Sequence, residues 1–152
     1  MNADAQLMEH MMNPQNYGEI ENSDATGIGK NPLNGEKVVI YLKVKEGDDP
    51  IIEDIKFQAI GCTTTIVAGS IITSEAKGVT FSRAEELIAI TLGMLDNVPP
   101  EDAACSEMVA LALKAAMDTY LARQKDSDFP MISYKITTDC TPKGEMDNES
   151  TI

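Results

Sequence analysis

The sequence predicts an α+β fold, in which helices pack on one face of a small antiparallel sheet and a strand-like C-terminal extension follows. Three observations lead to this prediction. Two neighbouring segments rich in β-branched residues precede the segments with helical spacing, and one more alternating segment comes after them. The chain has 152 residues, 43% of them hydrophobic, which is enough for one domain with a buried core. We expect a domain over residues 1–125 and an extension over 126–152.

The N-terminal part predicts a short helix and a long loop. Residues 4–12 place their apolar side chains on one stripe, as an amphipathic helix does, and Asn13-Pro14 ends it. The stripe consists of Leu7, Met8, Met11 and Met12. Residues 13–35 are rich in Asn, Gly, Pro, Ser and Asp, which favour turns. They predict a long loop with one short strand.

The next segments predict a β-hairpin. Lys37–Lys45 and Ile51–Ile60 are rich in β-branched residues and partly alternate between apolar and polar side chains. Residues 46–50 between them have the composition of a turn. We therefore expect the two strands to pair in antiparallel orientation.

Three helical segments are expected after the hairpin. Residues 63–77 have a helix-compatible pattern, and Gly78 is the expected C-terminal cap. Residues 82–85 read as a capping box that opens a second helix through about Leu95. After the break at Pro99-Pro100, residues 101–125 predict a long and mostly buried helix.

The last part of the chain predicts one more strand and a tail. Residues 131–137 (MISYKIT) alternate in the manner of a strand, and a polar tail begins at Asp139.

The charge balance excludes several kinds of partner. Twelve basic side chains stand against 25 acidic ones, so the net charge is −13. This charge repels phosphate and argues against non-specific nucleic-acid binding and against anionic membranes. No apolar run approaches the roughly 18–20 residues of a membrane span, and no signal peptide is visible. We expect a cytoplasmic protein.

The three cysteines are the most informative residues for chemistry. Cys62, Cys105 and Cys140 are odd in number, far apart and without a CxxC pair, which disfavours a secreted disulfide framework. Cys62 lies at a predicted strand-to-helix junction and Cys105 near a predicted helix start, where the helix dipole favours the thiolate that binds metal or attacks sulfur. Free cysteines are also common as small buried apolar residues, and the spacing alone leaves both interpretations open.

Standard catalytic sets are missing from the sequence. His10 is the only histidine, and no pattern places it near a nucleophile. Gly27-Ile28-Gly29-Lys30 resembles a phosphate-binding loop only superficially, because the motif spacing is wrong and no helical pattern follows. We therefore predict no catalytic residue.

Four short motifs carry a family resemblance. Residues 9–16 read EHMMNPQN, residues 34–36 read NGE, residues 61–70 read GCTTTIVAGS and residues 98–106 read VPPEDAACS. In order and separation they resemble the motifs DHYxNPRN, CGD, GCxxxxASSS and LPPxxxHCS of the NifU/IscU-type iron–sulfur cluster assembly scaffolds. The resemblance covers residues 6 to about 125.

The resemblance implies a scaffold and carrier function. A cysteine desulfurase delivers sulfur, an iron donor delivers iron, and the cluster is passed to client apo-proteins. It implies an iron–sulfur cluster, of the 2Fe–2S type in our prediction, with zinc as an alternative occupant of the site. The family's ligands are three cysteines and an Asp or His. The resemblance therefore implies Cys62, Cys105 and Glu36 as ligands in this chain.

The sequence also departs from the family's pattern. Asn34 stands at the position of the first cysteine and Ala104 at that of the histidine, and a neutral amide is a poor substitute for a thiolate. Asp102 replaces the basic residue of the segment that Hsp70-type chaperones recognise in some members. Chaperone-driven release by that segment is therefore not expected.

Two ways to complete the ligand set remain open. In the first, the predicted last strand joins the edge of the sheet and brings Cys140 to the site. In the second, two protomers share a cluster and each gives Cys62 and Cys105. The second possibility implies a homo-oligomer. Two other functions also remain open: a sulfur acceptor that carries a persulfide, and a divergent or zinc-binding paralogue without cluster assembly.

Overall fold

The computed structural model describes residue 12 and residues 14–32, 35–60, 63–93 and 100–136. These residues form four strands and three helices. The strands are β1 (Ala25–Lys30), β2 (Lys37–Lys45), β3 (Ile51–Ile60) and β4 (Ile132–Lys135), and the helices are α1 (Thr63–Ala76), α2 (Phe81–Gly93) and α3 (Pro100–Lys125). The predicted N-terminal helix, apart from Met12, and the predicted tail from Asp139 lie outside the described residues.

The four strands form one sheet in the order β3-β2-β1-β4. Neighbours among β1, β2 and β3 are antiparallel, as predicted, whereas β4 pairs with β1 in parallel. This direction follows from α3, which runs antiparallel to β1 and returns the chain to the end of the sheet where β1 begins. The predicted α+β fold is confirmed, and the sheet is mixed rather than wholly antiparallel.

Strand β1 is the short strand expected within residues 13–35, and it lies inside the sheet. The glycines of β1 face α3, and the backbone of the helix contacts the backbone of the strand. A Cβ atom on Gly27 would lie 2.0 Å from the Ala116 amide nitrogen, and one on Gly29 would lie 2.1 Å from the Met108 carbonyl oxygen. Glycine at these positions therefore allows the close approach of helix and strand. This strand geometry also excludes a phosphate-binding loop at residues 27–30.

The predicted hairpin is observed with the predicted bounds. Buried and partly exposed residues alternate along β2, so one face of the hairpin meets the helices. The register shifts after Lys43, and this irregularity allows both Ile52 and Ile55 of β3 to be buried. The core lies between this face and the helices.

The helices match the predicted segments, with one correction. Gly78, two residues after the end of α1, has φ 84°, as a C-terminal capping glycine should. The predicted capping box at residues 82–85 is wrong, because Thr80 is the capping residue and its hydroxyl accepts a hydrogen bond from the Arg83 amide (3.2 Å). The predicted end of this helix at Leu95 lies outside the described residues.

The long predicted helix 101–125 is observed as α3. It begins at Pro100, a favoured first position, and its burial is nearly continuous because β1 covers one side and the other helices cover another. Among the described residues, no helix is both long and apolar enough to span a membrane.

Strand β4, the last predicted strand, is attached to α3 through polar side chains. The Thr119 hydroxyl accepts a hydrogen bond from the Ile132 amide (3.0 Å), and the Tyr134 hydroxyl donates to the Asp118 carboxylate (2.5 Å). Lys114 forms an ion pair with the same carboxylate (3.1 Å). These contacts hold the edge strand beside β1.

Candidate functional site

One end of the sheet collects the segments that the sequence singled out. Lys30 at the end of β1 lies opposite Lys37 at the start of β2, and Lys37 lies opposite Ile60 at the end of β3. Lys135 at the end of β4 pairs with Lys30 from the other side. We call this row of strand ends the site edge.

Two helices begin near the site edge. Helix α1 begins at Thr63, three residues after Ile60, and α3 runs antiparallel to β1, so its first turns lie where β1 ends. The side chains of Thr65 in α1 and Cys105 in α3 are in contact, which brings the two helix starts together.

Cys105 lies in the second turn of α3 and is 5% exposed. The sequence placed it near a helix start, which the structure confirms, but the effect of the helix dipole fades beyond the first turn. The Thr65 hydroxyl contacts the sulfur and donates a hydrogen bond to Sγ over 3.2 Å. The thiol is thus buried, as expected for a cysteine that acts as a small apolar residue, and it also accepts a hydrogen bond.

Glu36 lies at the site edge and is partly buried. It closes the turn between β1 and β2, because its carbonyl oxygen accepts a hydrogen bond from the Asn31 amide (2.8 Å) and the Gly35 amide donates to the Asn31 carbonyl oxygen (3.0 Å). Gly35 has φ 78°, a conformation that glycine adopts without strain. The turn therefore places Glu36 directly before β2, on the edge where α1 and α3 begin.

The other predicted site residues are placed only in part. Cys62, Asn34, Cys140 and His10 lie outside the described residues. Ala104, at the position of the family's histidine, is buried in α3 beside Cys105 and offers no ligand atom. In the described ranges no three His, Cys, Asp or Glu side chains are grouped to hold a metal.

Described residues near Cys62 and Cys140 in the sequence lie at the site edge. Cys62 falls between Ile60 and Thr63 in the sequence, and both belong to elements that meet this edge. Cys140 follows Ile136 by four residues, and the Ile136 amide donates a hydrogen bond to the Lys30 carbonyl oxygen (2.9 Å).

Sequence reasoning missed Thr65. It lies on the first turn of α1, three residues after Cys62, and is 0% exposed. No spacing rule joins it to Cys105, which is 40 residues away. The only signal was the threonine-rich start of the helix, where a buried hydroxyl must find a hydrogen-bond partner.

A shallow cavity of about 440 Å³ lies on the sheet face opposite the helices. Tyr17 and Ile60, both exposed, line it together with Tyr41, whose hydroxyl donates to the Gln58 side-chain oxygen (2.6 Å). Burial, and secondarily the charge of Glu19, raise the pKa of Tyr41, so its phenol remains a neutral donor. No pattern in the sequence predicts this cavity.

Comparison with known proteins places this geometry in a family. Residues 3–127 match the family described as "NifU-like N terminal domain". The chain is 36% identical over 147 residues to "Iron-sulfur cluster assembly scaffold protein IscU 1" of Archaeoglobus fulgidus, covering 93% of this chain and 92% of the relative. It is 30% identical over 122 residues to the "Iron-sulfur cluster assembly scaffold protein IscU" of Escherichia coli K12, covering 78% and 94%.

A solved structure shows the same fold. The N-terminal part of a nitrogen-fixing NifU-like protein from Brucella abortus superimposes with a TM-score of 0.65 over 78% of this chain and 93% of that one, at 16% identity. At this identity the likeness concerns the fold alone.

Proposed function

The chain belongs to the NifU-like N-terminal domain family, and we propose that it is a scaffold on which an iron–sulfur cluster is assembled and then passed to apo-proteins. One observation carries the proposal: three separate elements and one turn bring Cys105, Glu36, Ile60 and Thr63 to the site edge, and the last two flank the segment that holds Cys62. Relatives that are 30–36% identical over most of the chain are named as scaffolds of this kind.

In the proposed reaction the cluster is cargo. A cysteine desulfurase supplies sulfur, an iron donor supplies iron, and the thiolates of Cys62 and Cys105 bind the growing cluster, which we propose to be of the 2Fe–2S type. Glu36 adds a carboxylate oxygen at the same edge. Since the chain then acts by binding and release, we propose a carrier rather than an enzyme, in the reducing cytoplasm that its widely spaced cysteines favour.

The ligand set needs one more thiolate, because Asn34 and Ala104 do not supply one. Strand β4 supports Cys140 as the replacement. Only β1 separates β4 from β2, a distance of roughly 10 Å. The four residues from Ile136 to Cys140 span at most roughly 14 Å, which is enough to reach the turn at Glu36. On this proposal residues 1–125 form the scaffold domain and the extension 126–152 contributes a ligand.

Sharing between protomers is the other way to complete the set. Two chains that each give Cys62 and Cys105 would offer four thiolates to one cluster. The oligomeric state of the cluster-bound protein separates the two arrangements, because a ligand from Cys140 requires one chain and a shared cluster requires two.

Anaerobic reconstitution tests the proposal. The purified full-length chain is incubated with iron, sulfide and a desulfurase, and iron, labile sulfide and visible absorption are measured. We expect a cluster in the wild type and its loss in Cys62→Ser and Cys105→Ser. Cys140→Ser should also lose the cluster if β4 delivers a ligand. A normal cluster in Cys140→Ser, together with a dimer that forms only when loaded, would assign the shared arrangement.

Restoring the family's first cysteine gives a complementary result. We expect Asn34→Cys to retain its cluster longer than the wild type during a challenge with an iron chelator, because a thiolate replaces a neutral amide. Asn34→Ser is the matched control, since it changes the same residue without adding a thiol. Equal retention in all three proteins would contradict the ligand position assigned to residue 34.

A sulfur acceptor is the second candidate function, favoured by the hydrogen bond at Cys105. A hydroxyl donor stabilises a thiolate, and this thiolate can attack the terminal sulfur of a desulfurase persulfide. The attack forms a persulfide on this chain and releases the desulfurase thiolate. A persulfide found on Cys62 or Cys105 by mass spectrometry, with no iron retained, would favour this function. Bound zinc without labile sulfide would indicate a zinc-binding paralogue.

A further inference from the structure

The hydrogen bond between Thr65 and Cys105 joins two helices at the site edge. The hydroxyl oxygen of Thr65 and Sγ of Cys105 are 3.2 Å apart, and the two residues are 0% and 5% exposed. Water therefore does not compete for this contact. Thr65 follows Cys62 by three residues, so the bond connects the helix that begins after Cys62 to the helix that carries Cys105.

The bond of Thr65 crosses between two helices, and two other buried threonines provide a comparison. Thr73 and Thr119 are also 0% exposed, and each hydroxyl donates to the carbonyl oxygen four residues earlier in its own helix (2.7 Å in both cases). This is the ordinary local bond of a helical threonine. Thr65 donates to a sulfur on another helix, so its bond joins two elements that are far apart in the sequence.

A hydrogen bond to sulfur has two consequences for a thiolate ligand. It orients the side chain, and it withdraws electron density from the sulfur, which changes both metal affinity and the reduction potential of a cluster. Both effects are stronger in a buried site, where the local dielectric constant is low.

We propose that Thr65 is a positioning residue for Cys105, which holds the sulfur in place at the site edge and reduces its electron density when a metal or cluster is bound. This inference rests on the proposed function only in taking Cys105 as a ligand. Thr65 itself is not a ligand. The bond also joins the first turn of α1 to the second turn of α3.

The test uses the full-length chain and Co²⁺ as a spectroscopic probe. The wild type is titrated anaerobically with Co²⁺, and the sulfur-to-cobalt charge-transfer absorption gives both affinity and band energy. We expect Thr65→Val, which keeps the side-chain shape but removes the hydroxyl, to weaken Co²⁺ binding by about 10–100-fold. Its charge-transfer band should shift to lower energy, because the sulfur is richer in electrons. Thr65→Ser, which keeps the donor, should stay within a few-fold of the wild type.

Thr73→Val is the matched control. It removes a buried hydroxyl from the same helix without touching Cys105, so it should change thermal stability but not the charge-transfer band. Equal shifts in Thr65→Val and Thr73→Val, or equal losses in Thr65→Val and Thr65→Ser, would assign the effect to packing and overturn the proposal. So would a Thr65→Val protein that behaves like the wild type.

A second measurement separates this inference from the proposed function. In the reconstituted protein, Thr65→Val should lower the reduction potential of the cluster relative to the wild type. If the wild type shows the Thr65-dependent Co²⁺ band but assembles no cluster, the scaffold function fails and the role of Thr65 stands. If the wild type assembles a cluster and Thr65→Val matches it in both potential and Co²⁺ affinity, the role of Thr65 fails and the function stands. A wild type that bound neither would overturn both.

Discussion

Helix α3 contacts two parallel strands, β1 and β4, in two different ways. Against β1 the contact is backbone on backbone, made possible by Gly27 and Gly29. Against β4 the contact includes hydrogen bonds from side chains, among them those of Thr119 and Asp118. The first contact has no space for adjustment, whereas the second depends on a few side-chain hydrogen bonds, one of them from the buried Thr119. We infer that the β1 contact determines whether the chain folds and the β4 contact determines how firmly the C-terminal extension is held.

The largest effect is expected from filling the β1 contact. In Gly27→Ala the new Cβ would lie within 2.7 Å of three backbone atoms of α3, so helix and strand must separate. We expect the free energy of unfolding to fall by about 3 kcal/mol, at the upper end of ordinary overpacking. Denaturant unfolding followed by circular dichroism measures this. Gly47→Ala is the control, because a Cβ there meets nothing within 4 Å, and its stability should match the wild type.

A smaller loss is expected from removing the buried hydroxyl of the β4 contact. Thr119→Val keeps the shape of a fully buried side chain but leaves the Ile132 amide without its hydroxyl acceptor. We expect a loss of about 1–2 kcal/mol in the free energy of unfolding. Relative to the wild type, hydrogen exchange should accelerate more in β4 than in β2. Thr119→Ser retains the acceptor and should exchange at the wild-type rate. Uniform acceleration in all four strands would contradict the separate attachment of β4.

A still smaller loss is expected at the partly exposed end of the same contact. Tyr134→Phe removes the hydroxyl that donates to Asp118, while the ion pair of Asp118 with Lys114 remains. Because the pair is open to solvent, we expect a loss of about 0.5–1 kcal/mol. Limited proteolysis after residue 125 should be faster in the variant. Tyr17→Phe, at the far edge of the sheet, is the control and should leave this cleavage unchanged.

The smallest effect concerns pH. The hydrogen bond to Asp118, and then burial and the carboxylate charge, raise the pKa of Tyr134 to about 12. Since the folded pKa lies above the unfolded value near 10, the stabilisation is fully present below pH 10 and is lost as the pH rises through about 12. The difference between tyrosinate absorption titrations of the wild type and Tyr134→Phe should therefore have its midpoint near pH 12. A midpoint near 10 would show that the Asp118 contact does not form in solution.

The strands differ in how far they could be predicted. The bounds of β2 and β3 were predicted to the residue, because β-branched residues that alternate with polar ones are typical of a strand with one buried face. Strand β1 was expected only as a short strand inside a loop, because Gly27 and Gly29 carry no side-chain pattern and are explained by a helix that lies far away in the sequence. The cap of α2 was misplaced by two residues, because Thr80, Ser82 and their neighbours satisfy similar local rules and the tertiary contact of Asp49 with the Ser82 amide favours the earlier start.

The motifs single out individual residues of the candidate site but do not give their arrangement. Glu36 and Cys105 were identified from motifs, and the structure places them at one edge of the sheet. The partner of Cys105 was missed, since a hydrogen bond across 40 residues leaves no periodic trace.

The sequence by itself determined most of the elements, the family and the residue types of the candidate site, because each of these depends on local pattern or on motif order. Only the tertiary structure decided that β4 runs parallel to β1 and ends at the site edge, and that Thr65 contacts Cys105. Strand direction and helix contacts depend on how α3 crosses the sheet, and that crossing is set by the close fit of two glycines to its backbone. The chemistry of the site therefore depends on the identity of single residues, whereas its geometry depends on how helix α3 packs on the sheet.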